Sequence, residues 1–221
     1  MLSRASATLT VGIVLSVLLT LIGYSWPSLW LVYAFKPLAT LLLVAIAAYH
    51  WTNRRTSYSQ WIAIGMAFCL IGDAFLIWPN EYFLEGLVAF LCAHVVYLVA
   101  FSRDSKFLAN LLIWLFYLVF TAAIFLFLFP TLPPGLRIPV ALYAALLSTM
   151  AAQAMGRALA LNTTQAKCAA FGALLFMASD LLLAFHRFRT PLRHSAFLIL
   201  VPYYLGQWLI ASSASESRGE N

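Results

Sequence analysis

Two stretches of the sequence decide the fold: FCLIGDAFLIW at residues 68–78 and FGALLFMASDLLLAF at residues 171–185. Each is apolar enough for a lipid bilayer, yet each contains an aspartate, Asp73 and Asp180. A carboxylate in the bilayer core costs about 2.5–3.5 kcal/mol on insertion scales, so it normally faces the bundle interior or a watery cavity. Because Lys36 also lies in an apolar run, the three residues indicate an intramembrane polar site. The alternatives are a pair that only fixes helix packing and a lysine that reaches the headgroups.

The composition places the chain among integral membrane proteins. Of its 221 residues, 64% are hydrophobic and 9% are charged, whereas soluble domains have about 25% charged residues. Apolar runs recur along nearly the whole chain, and a membrane-spanning helix needs ~20 such residues. Alternation in ~10-residue units, which is typical of membrane β-strands, is absent. The sequence therefore predicts an all-α fold, a polytopic bundle of about eight transmembrane helices.

Proline and turn residues separate the apolar segments. We place the segments near residues 7–24, 29–49, 60–78, 83–101, 107–129, 137–160, 166–185 and 194–212. We interpret residues 1–212 as a single transmembrane bundle domain. The first segment is expected to stay as a helix, because no small-residue cleavage signal stands out. Residues 213–221 are polar and are predicted to form a disordered C-terminal tail.

The distribution of basic residues predicts the orientation, because cytoplasmic loops are enriched in lysine and arginine. With a cytoplasmic N-terminus, eight basic residues fall on the cytoplasmic side: Arg4, Arg54, Arg55, Arg103, Lys106, Arg157, Lys167 and Arg218. The opposite side then has four, namely Arg137, Arg187, Arg189 and Arg193. The count favours both termini in the cytoplasm, although the last loop runs against the trend.

The two aspartates and the lysine lie at similar depths. Lys36 is seven residues after Leu29, where its segment starts, and Asp180 is seven residues before Arg187. Asp73 is six residues before the turn that follows its segment. At ~1.5 Å rise per residue, each lies roughly 9–11 Å from a helix end. In an eight-helix bundle these ends are on the same, non-cytoplasmic side, so we expect the three side chains to converge there.

Two other segments have polar pairs at helical spacing. AHVVY places His94 and Tyr97 three residues apart, and YYLGQ does the same with Tyr204 and Gln207, so each pair shares a helix face. The aspartates are in the third and seventh segments, and the polar pairs are in the fourth and eighth. A parallel 4+4 repeat would explain this order. Coincidence in a chain rich in leucine, alanine and phenylalanine is the alternative.

Five short motifs, taken in order, resemble the YhhN-like lysoplasmalogenase family. They are KPL at residues 36–38, GDAFL at 72–76, AHVVY at 93–97, SD at 179–180 and YYLGQ at 203–207. The resemblance implies an eight-helix hydrolase of the vinyl-ether bond in 1-alkenyl lysophospholipids. Its products would be a fatty aldehyde and glycerophosphoethanolamine or glycerophosphocholine. The implied partners are a lysophospholipid substrate and membrane lipids, and we expect an integral protein of the bacterial inner membrane.

Vinyl-ether hydrolysis suits a pair of carboxyl groups. One acid must protonate the outer alkene carbon, and one ionised group must stabilise the oxocarbenium ion and activate water, as in two-carboxylate glycosidases. A neighbouring cation keeps one carboxyl ionised, whereas burial favours the protonated form of the other. We expect Asp73 and Asp180 to be the catalytic pair, with Asp73 as the base and Asp180 as the acid. The sequence leaves open which aspartate Lys36 faces.

The remaining polar side chains have two interpretations each. The candidate substrate-binding residues, which would bind the glycerol hydroxyl or position water, are Lys36, His94, Tyr97, Tyr204 and Gln207. The alternatives are an interhelical hydrogen bond for the histidine and packing with a satisfied hydroxyl for the tyrosines. The basic stretch HRFRTPLRH at residues 186–194 is interpreted as a contact for headgroup phosphate or as a solvated loop.

Other functional classes fit the sequence less well. The net charge of +6 is spread over loops and no nucleic-acid-binding motif is present, so no nucleic-acid partner is expected. The chain has no GxSxG or HExxH motif, and His186 and His194 lack metal-ligand spacing, so no metal or cofactor is expected. The main alternative function is a small proton-coupled transporter, which would also use buried aspartate and lysine residues.

Overall fold

The structure, a computed structural model, describes residues 4–26, 28–108 and 110–215. Within these ranges the chain forms eight α-helices and two short 3₁₀ turns, Phe129–Thr131 and Pro134–Leu136, between the fifth and sixth helices. The helices are α1 (Arg4–Ser25), α2 (Leu29–Arg54), α3 (Ser57–Phe75), α4 (Phe83–Phe101), α5 (Leu111–Leu128), α6 (Arg137–Leu161), α7 (Thr164–Phe188) and α8 (Ser195–Ser213).

All eight helices are long and apolar enough to cross a membrane. The predicted all-α polytopic bundle is confirmed, and the protein is an integral membrane protein. The predicted polar tail begins where α8 ends, at Ser213, and residues 216–221 of that tail lie outside the described residues.

Polar capping residues determine several helix ends, and these ends differ by a few residues from those estimated from hydropathy. Helices α3, α5 and α7 begin after Thr56, Asn110 and Thr163, whose side-chain oxygens accept hydrogen bonds from the first helical turn. Such caps satisfy backbone N–H groups that have no partner inside the helix. Helices α2 and α6 are followed by the C-capping residues Arg55 and Asn162, which adopt left-handed φ angles of 51° and 52°, a common way to terminate a helix.

The helix neighbours follow the predicted 4+4 pattern. In the first half α1 packs against α2, α2 against α3, and α3 against α4; in the second half α5 packs against α6, α6 against α7, and α7 against α8. One contact between the halves matches as well, since α2 packs against α8 and α4 packs against α6, whereas the smaller α1–α8 and α3–α8 contacts have hardly any counterpart among the described residues. Helices four spans apart run in the same direction, so the two halves are related as parallel repeats.

A constant offset in residue number relates the two halves in sequence. The offset that separates Asp73 from Asp180 also separates the capping Thr56 from Thr163 and the left-handed Arg55 from Asn162. The same offset leads from Lys36 to Tyr143. The two aspartates therefore occupy equivalent places in the two halves.

Glycines bring α3 close to α4 and α7 close to α8, two helical turns before each aspartate. A Cβ atom on Gly65 would lie 2.3 Å from the ring of Tyr97, and a Cβ atom on Gly172 would lie 2.6 Å from the carbonyl oxygen of Gly206. Real Cβ atoms do not approach other atoms so closely, so larger residues would push these helices apart. These close crossings fix the positions of Asp73 and Asp180 relative to the neighbouring helices.

Candidate active site

Asp73 on α3 is surrounded by hydrogen-bond donors and one cation. Lys36 Nζ on α2 lies 3.6 Å from Asp73 Oδ1, and both side chains are at most 5% exposed. Thr40 Oγ1 donates to Asp73 Oδ2 at 2.6 Å, and Tyr203 Oη donates to the same oxygen at 2.7 Å. Lys36 Nζ also donates to the carbonyl oxygen of Leu76 at 3.2 Å. This arrangement compensates a negative charge on Asp73 by charge-assisted hydrogen bonds.

Asp180 on α7 has a different environment. Tyr143 Oη on α6 donates a hydrogen bond to Asp180 Oδ2 at 2.5 Å. His94 Nε2 on α4 lies 3.8 Å from that oxygen, beyond hydrogen-bond distance, and the histidine ring packs between Tyr143 and Phe176. Among the described residues no lysine or arginine forms an ion pair with Asp180. The two aspartates therefore differ in the charge that faces them.

Both aspartates line one cavity of about 430 Å³, here called the polar cavity. Lys36 and Tyr203 also line it, so the side chains that were predicted to converge from their depths do lie together. The lining extends from Asp73 to Arg187, which lies in the last turn of α7. A small polar molecule or the polar part of a lipid can therefore approach both carboxyl groups from that end of the bundle.

Arg187 is positioned at the mouth of the polar cavity. Its guanidinium donates to Asn80 Oδ1 at 2.9 Å and to the carbonyl oxygen of Pro79 at 3.2 Å, both in the connection between α3 and α4. It also lies 5.4 Å from the ring centroid of Phe83. The basic stretch that was interpreted as a phosphate contact thus provides one cation at the cavity rim.

The other predicted site residues lie around the polar cavity but do not line it. Tyr97 Oη donates to Gln207 Oε1 at 2.8 Å, and Gln207 Nε2 donates to Cys69 Sγ at 3.2 Å. Tyr204 Oη donates to the carbonyl oxygen of Lys36 at 3.0 Å. His94 is fully buried, and neither of its ring nitrogens has a hydrogen-bond partner among the described residues. These side chains join α2, α3, α4 and α8 beneath the aspartates.

Three residues that contact the aspartates were missed from the sequence: Thr40, Tyr143 and Tyr203. Thr40 lies one turn after Lys36 on the same helix face, which was a usable signal. Tyr143 follows Lys36 at the same offset that separates the two aspartates. Tyr203 is adjacent to the predicted Tyr204, and only the packing of α8 decides which ring faces Asp73.

The described residues include no group of three or more His, Cys, Asp or Glu side chains that could hold a metal ion. The polar side chains that line the cavity include the two carboxyls, the ammonium of Lys36, the guanidinium of Arg187, the imidazole of His186 and the phenols of Tyr24 and Tyr203. Such a set can exchange protons with a bound molecule and can stabilise a transient positive charge beside a carboxylate.

Comparison with known proteins matches most of the chain to one family. The sequence profile of the YhhN family matches residues 31–214. The chain is 35% identical over 161 residues to "Lysoplasmalogenase TMEM86A" of Bos taurus, covering 71% of this chain and 66% of that protein. It is 38% identical over 149 residues to "Lysoplasmalogenase TMEM86B" of Sus scrofa, covering 66% and 60%. These alignments span slightly less than two thirds of the relatives' own length. No solved structure matches the chain significantly.

Proposed function

This chain belongs to the YhhN family, and from that membership we propose that it is a lysoplasmalogenase-like hydrolase. The substrate is a 1-alkenyl lysophospholipid, and the products are a fatty aldehyde and a glycerophospho-headgroup with ethanolamine or choline. One structural observation supports this assignment most strongly. Asp73 and Asp180 line the same cavity, yet Lys36 faces only Asp73.

The different environments of the two aspartates support separate catalytic roles. Asp73, paired with Lys36 and bonded by Thr40 and Tyr203, is the ionised base. Asp180, which accepts a hydrogen bond from the Tyr143 phenol and lies beside the His94 ring that packs on this phenol, is the protonated acid. Two carboxyl groups with separated roles are a known catalytic pattern.

The first step is proton transfer to carbon. Asp180 donates its proton to the outer alkene carbon, the π electrons form the new C–H bond, and the inner carbon becomes an oxocarbenium ion. The carboxylate of Asp73 stabilises this cation and accepts a proton from the water that attacks it. The result is a hemiacetal, with Asp180 now ionised and Asp73 protonated.

The second step restores both carboxyl groups. The hemiacetal hydroxyl returns a proton to Asp180, and Asp73 donates its proton to the glycerol oxygen as the carbon–oxygen bond breaks. An aldehyde and an alcohol leave, and one water molecule has been consumed. No redox change occurs, and the acid and base are again as they were at the start.

The polar cavity also suggests how the substrate is oriented. Arg187 at the rim suits the headgroup phosphate, since a guanidinium binds phosphate oxygens well. Lys36 lines the cavity and can contact the glycerol oxygens. Four residues expected to bind substrate do not line the cavity, and we propose that they support it from behind. Tyr97, Tyr204 and Gln207 do so by hydrogen bonds between helices, and His94 does so by packing against Tyr143.

We further propose that the protein lies in the bacterial inner membrane with both termini cytoplasmic. The polar cavity then opens toward the non-cytoplasmic leaflet. The scissile bond of a lysophospholipid lies just below its headgroup, which fits a site roughly 10 Å from the helix ends.

A proton-coupled transporter remains the second candidate because of one observation. A separate polar cavity of about 560 Å³ lies at the opposite ends of the helices, lined by residues such as His50, Arg54, Gln165 and Ser212. Polar cavities at both ends are what a transporter needs. The two functions are separated by aldehyde release from purified, detergent-solubilised protein, because hydrolysis does not need a sealed membrane. Release of aldehyde at catalytic turnover supports the hydrolase. Uptake of the lysophospholipid into proteoliposomes without release of aldehyde contradicts the hydrolase.

A further inference from the structure

An apolar cleft adjoins Asp180 on the side away from Asp73. The cleft is narrow, with a volume of about 70 Å³, and α4, α5, α6 and α7 all contribute to its walls. Its lining includes Leu87 of α4, Phe125 of α5, Ala144 and Leu147 of α6, and Ala184 of α7.

The cleft lies beside the polar cavity and shares part of its wall. Asp180, Leu76, Phe83 and Phe90 line both spaces. Among the described residues, Asp180 is the single acidic residue that lines the cleft, whereas Asp73 and Lys36 line only the polar cavity. Asp180 therefore marks the boundary between a polar compartment and an apolar one.

A difference between the two halves leaves this cleft open. In the first half α1 packs against α2 and also against α8, where Trp208 Nε1 donates to Thr10 Oγ1 at 3.0 Å. In the second half α5 packs against α6, where Trp114 Nε1 donates to Thr149 Oγ1 at 3.1 Å. Within the part of the chain that the structure describes, the α5–α4 pair that would correspond to α1–α8 has hardly any contact. The apolar space beside Asp180 therefore lies where α4 and α5 are not packed together.

From this shared wall, with Asp180 at the boundary, we infer that the apolar cleft binds the single hydrocarbon chain of the substrate and sets its chain selectivity. The inference rests on the proposed function. A lysophospholipid has one polar end and one chain, and its vinyl ether lies where they join. With the head in the polar cavity and the chain in the cleft, that bond lies at Asp180. The outer alkene carbon, which belongs to the chain, then faces the acid.

The dimensions of the cleft suit one chain. Along α5 its lining runs from Thr121 to Leu128 and along α6 from Val140 to Leu147, which is about 10 Å at the helical rise. The remainder of a long chain extends past α5, whose outer face is exposed to lipid at residues such as Phe116 and Val119.

The direct test is photo-crosslinking with a probe that binds but lacks the vinyl group. The probe is a 1-O-alkyl lysophosphatidylcholine with a diazirine in the first third of its chain, added to purified full-length protein in detergent. We expect crosslinks on residues that line the cleft, such as Phe125, Ala144 and Leu147, and displacement by unlabelled lysophospholipid. Crosslinks that fall outside the cleft, or that unlabelled lipid does not displace, overturn the inference.

Matched variants sharpen this test. Ala144→Phe fills the cleft, whereas Ala145→Phe places the same ring on the adjacent, exposed position of α6. The phenylalanine ring at position 144 would occupy the space of the lipid chain, and the free-energy cost of crowding at this scale corresponds to a loss in affinity of about 10-fold or more. We therefore expect Ala144→Phe to weaken probe labelling by that factor. Ala145→Phe should leave the labelling unchanged. Ala184→Phe, on the opposite wall, replaces Ala144→Phe if that variant does not fold. Equal labelling of folded cleft and control variants contradicts the inference.

A hydrolysis assay tests the chain-binding role of the apolar cleft separately from the proposed function. Ala144→Phe should raise KM for a long-chain 1-alkenyl lysophospholipid by about 10-fold and leave a four-carbon alkenyl analogue unaffected. Crosslinks in the cleft without aldehyde release from the wild type refute the hydrolase and keep a lipid-chain site. Aldehyde release with crosslinks elsewhere refutes the chain-binding role of the apolar cleft and keeps the hydrolase.

Discussion

Lys36 and Asp73 form an ion pair with 3.6 Å between Nζ and Oδ1, and both side chains are almost completely buried. At the position of the other half that is equivalent to Lys36, the hydroxyl of Tyr143 faces the second aspartate instead of an ammonium group. One repeated framework thus provides two carboxyl groups with different partners. This difference is the physical basis for assigning one of them as base and the other as acid.

The first prediction concerns the substrate bond. The protein should hydrolyse a 1-alkenyl lysophospholipid and spare its saturated 1-alkyl analogue, because only the alkene carbon can accept the proton that starts the reaction. In D₂O the aldehyde should contain one deuterium at the carbon next to the carbonyl, measured by mass spectrometry after immediate reduction. Equal turnover of the two ethers, or turnover of acyl lysophospholipid alone, would refute the proton-transfer mechanism.

The second prediction concerns the buried ion pair. Removing one partner of such a pair leaves an uncompensated charge and costs about 3–5 kcal/mol, so Lys36→Met should lower the Tm in detergent. Adding Asp73→Asn to Lys36→Met should recover much of the Tm, because no charge is then left unpaired. It should not recover aldehyde release. Simple addition of the two losses in Tm would contradict a direct pairing of these residues.

The third prediction concerns the tyrosine beside the acid. Tyr143→Phe removes the hydrogen bond to Asp180 without changing the ring. This bond becomes charge-assisted as Asp180 gives up its proton, so the loss of about 1.5–3 kcal/mol in the transition state should lower kcat by about 10-fold or more. Tyr117→Phe is the matched control, since Tyr117 of α5 is also buried but lines neither cavity. A similar loss in both variants would indicate a general effect of removing a buried hydroxyl.

The fourth prediction concerns orientation. In a variant whose three cysteines are replaced, Glu81→Cys and Lys106→Cys report opposite sides of the membrane, because they precede and follow α4. Both positions are exposed. A membrane-impermeant maleimide should label Glu81→Cys but not Lys106→Cys in intact cells. The reverse pattern would place the polar cavity on the cytoplasmic side.

Much of the fold could be predicted from the sequence because the bilayer leaves few choices. Apolar runs of spanning length can only be helices when no barrel pattern is present, and the polar turns between them fix the number of spans. Helix ends were less predictable, since caps such as Thr56 and Thr163 depend on single side chains. The order of the motifs predicts the repeat. The capping threonines and the aspartates of the two halves are separated by the same number of residues.

The distance of the site residues from the helix ends could be predicted from the sequence, but their contacts could not. The distance of each aspartate and of Lys36 from a helix end follows from the helical rise alone, and it placed them in one layer. Which ring of YYLGQ faces Asp73 depends on the rotation of α8, and the structure selects Tyr203 rather than Tyr204. The apolar cleft had no sequence signal, because it arises from how α5 packs and not from any motif.

The central claim, catalysis by two unequal carboxyl groups, is tested most directly by aldehyde release from purified Asp73→Asn and Asp180→Asn variants. Each should reach the wild-type elution volume on size-exclusion chromatography and unfold in one cooperative transition, so that folding is accounted for. The Tm of Asp73→Asn should be lower than that of the wild type, because this substitution leaves Lys36 unpaired. We expect each substitution to lower kcat for 1-alkenyl lysophospholipid by about 10²-fold or more, the usual scale of general acid–base catalysis. Near-normal turnover by a folded, monodisperse Asp73→Asn or Asp180→Asn variant would contradict the two-carboxyl mechanism.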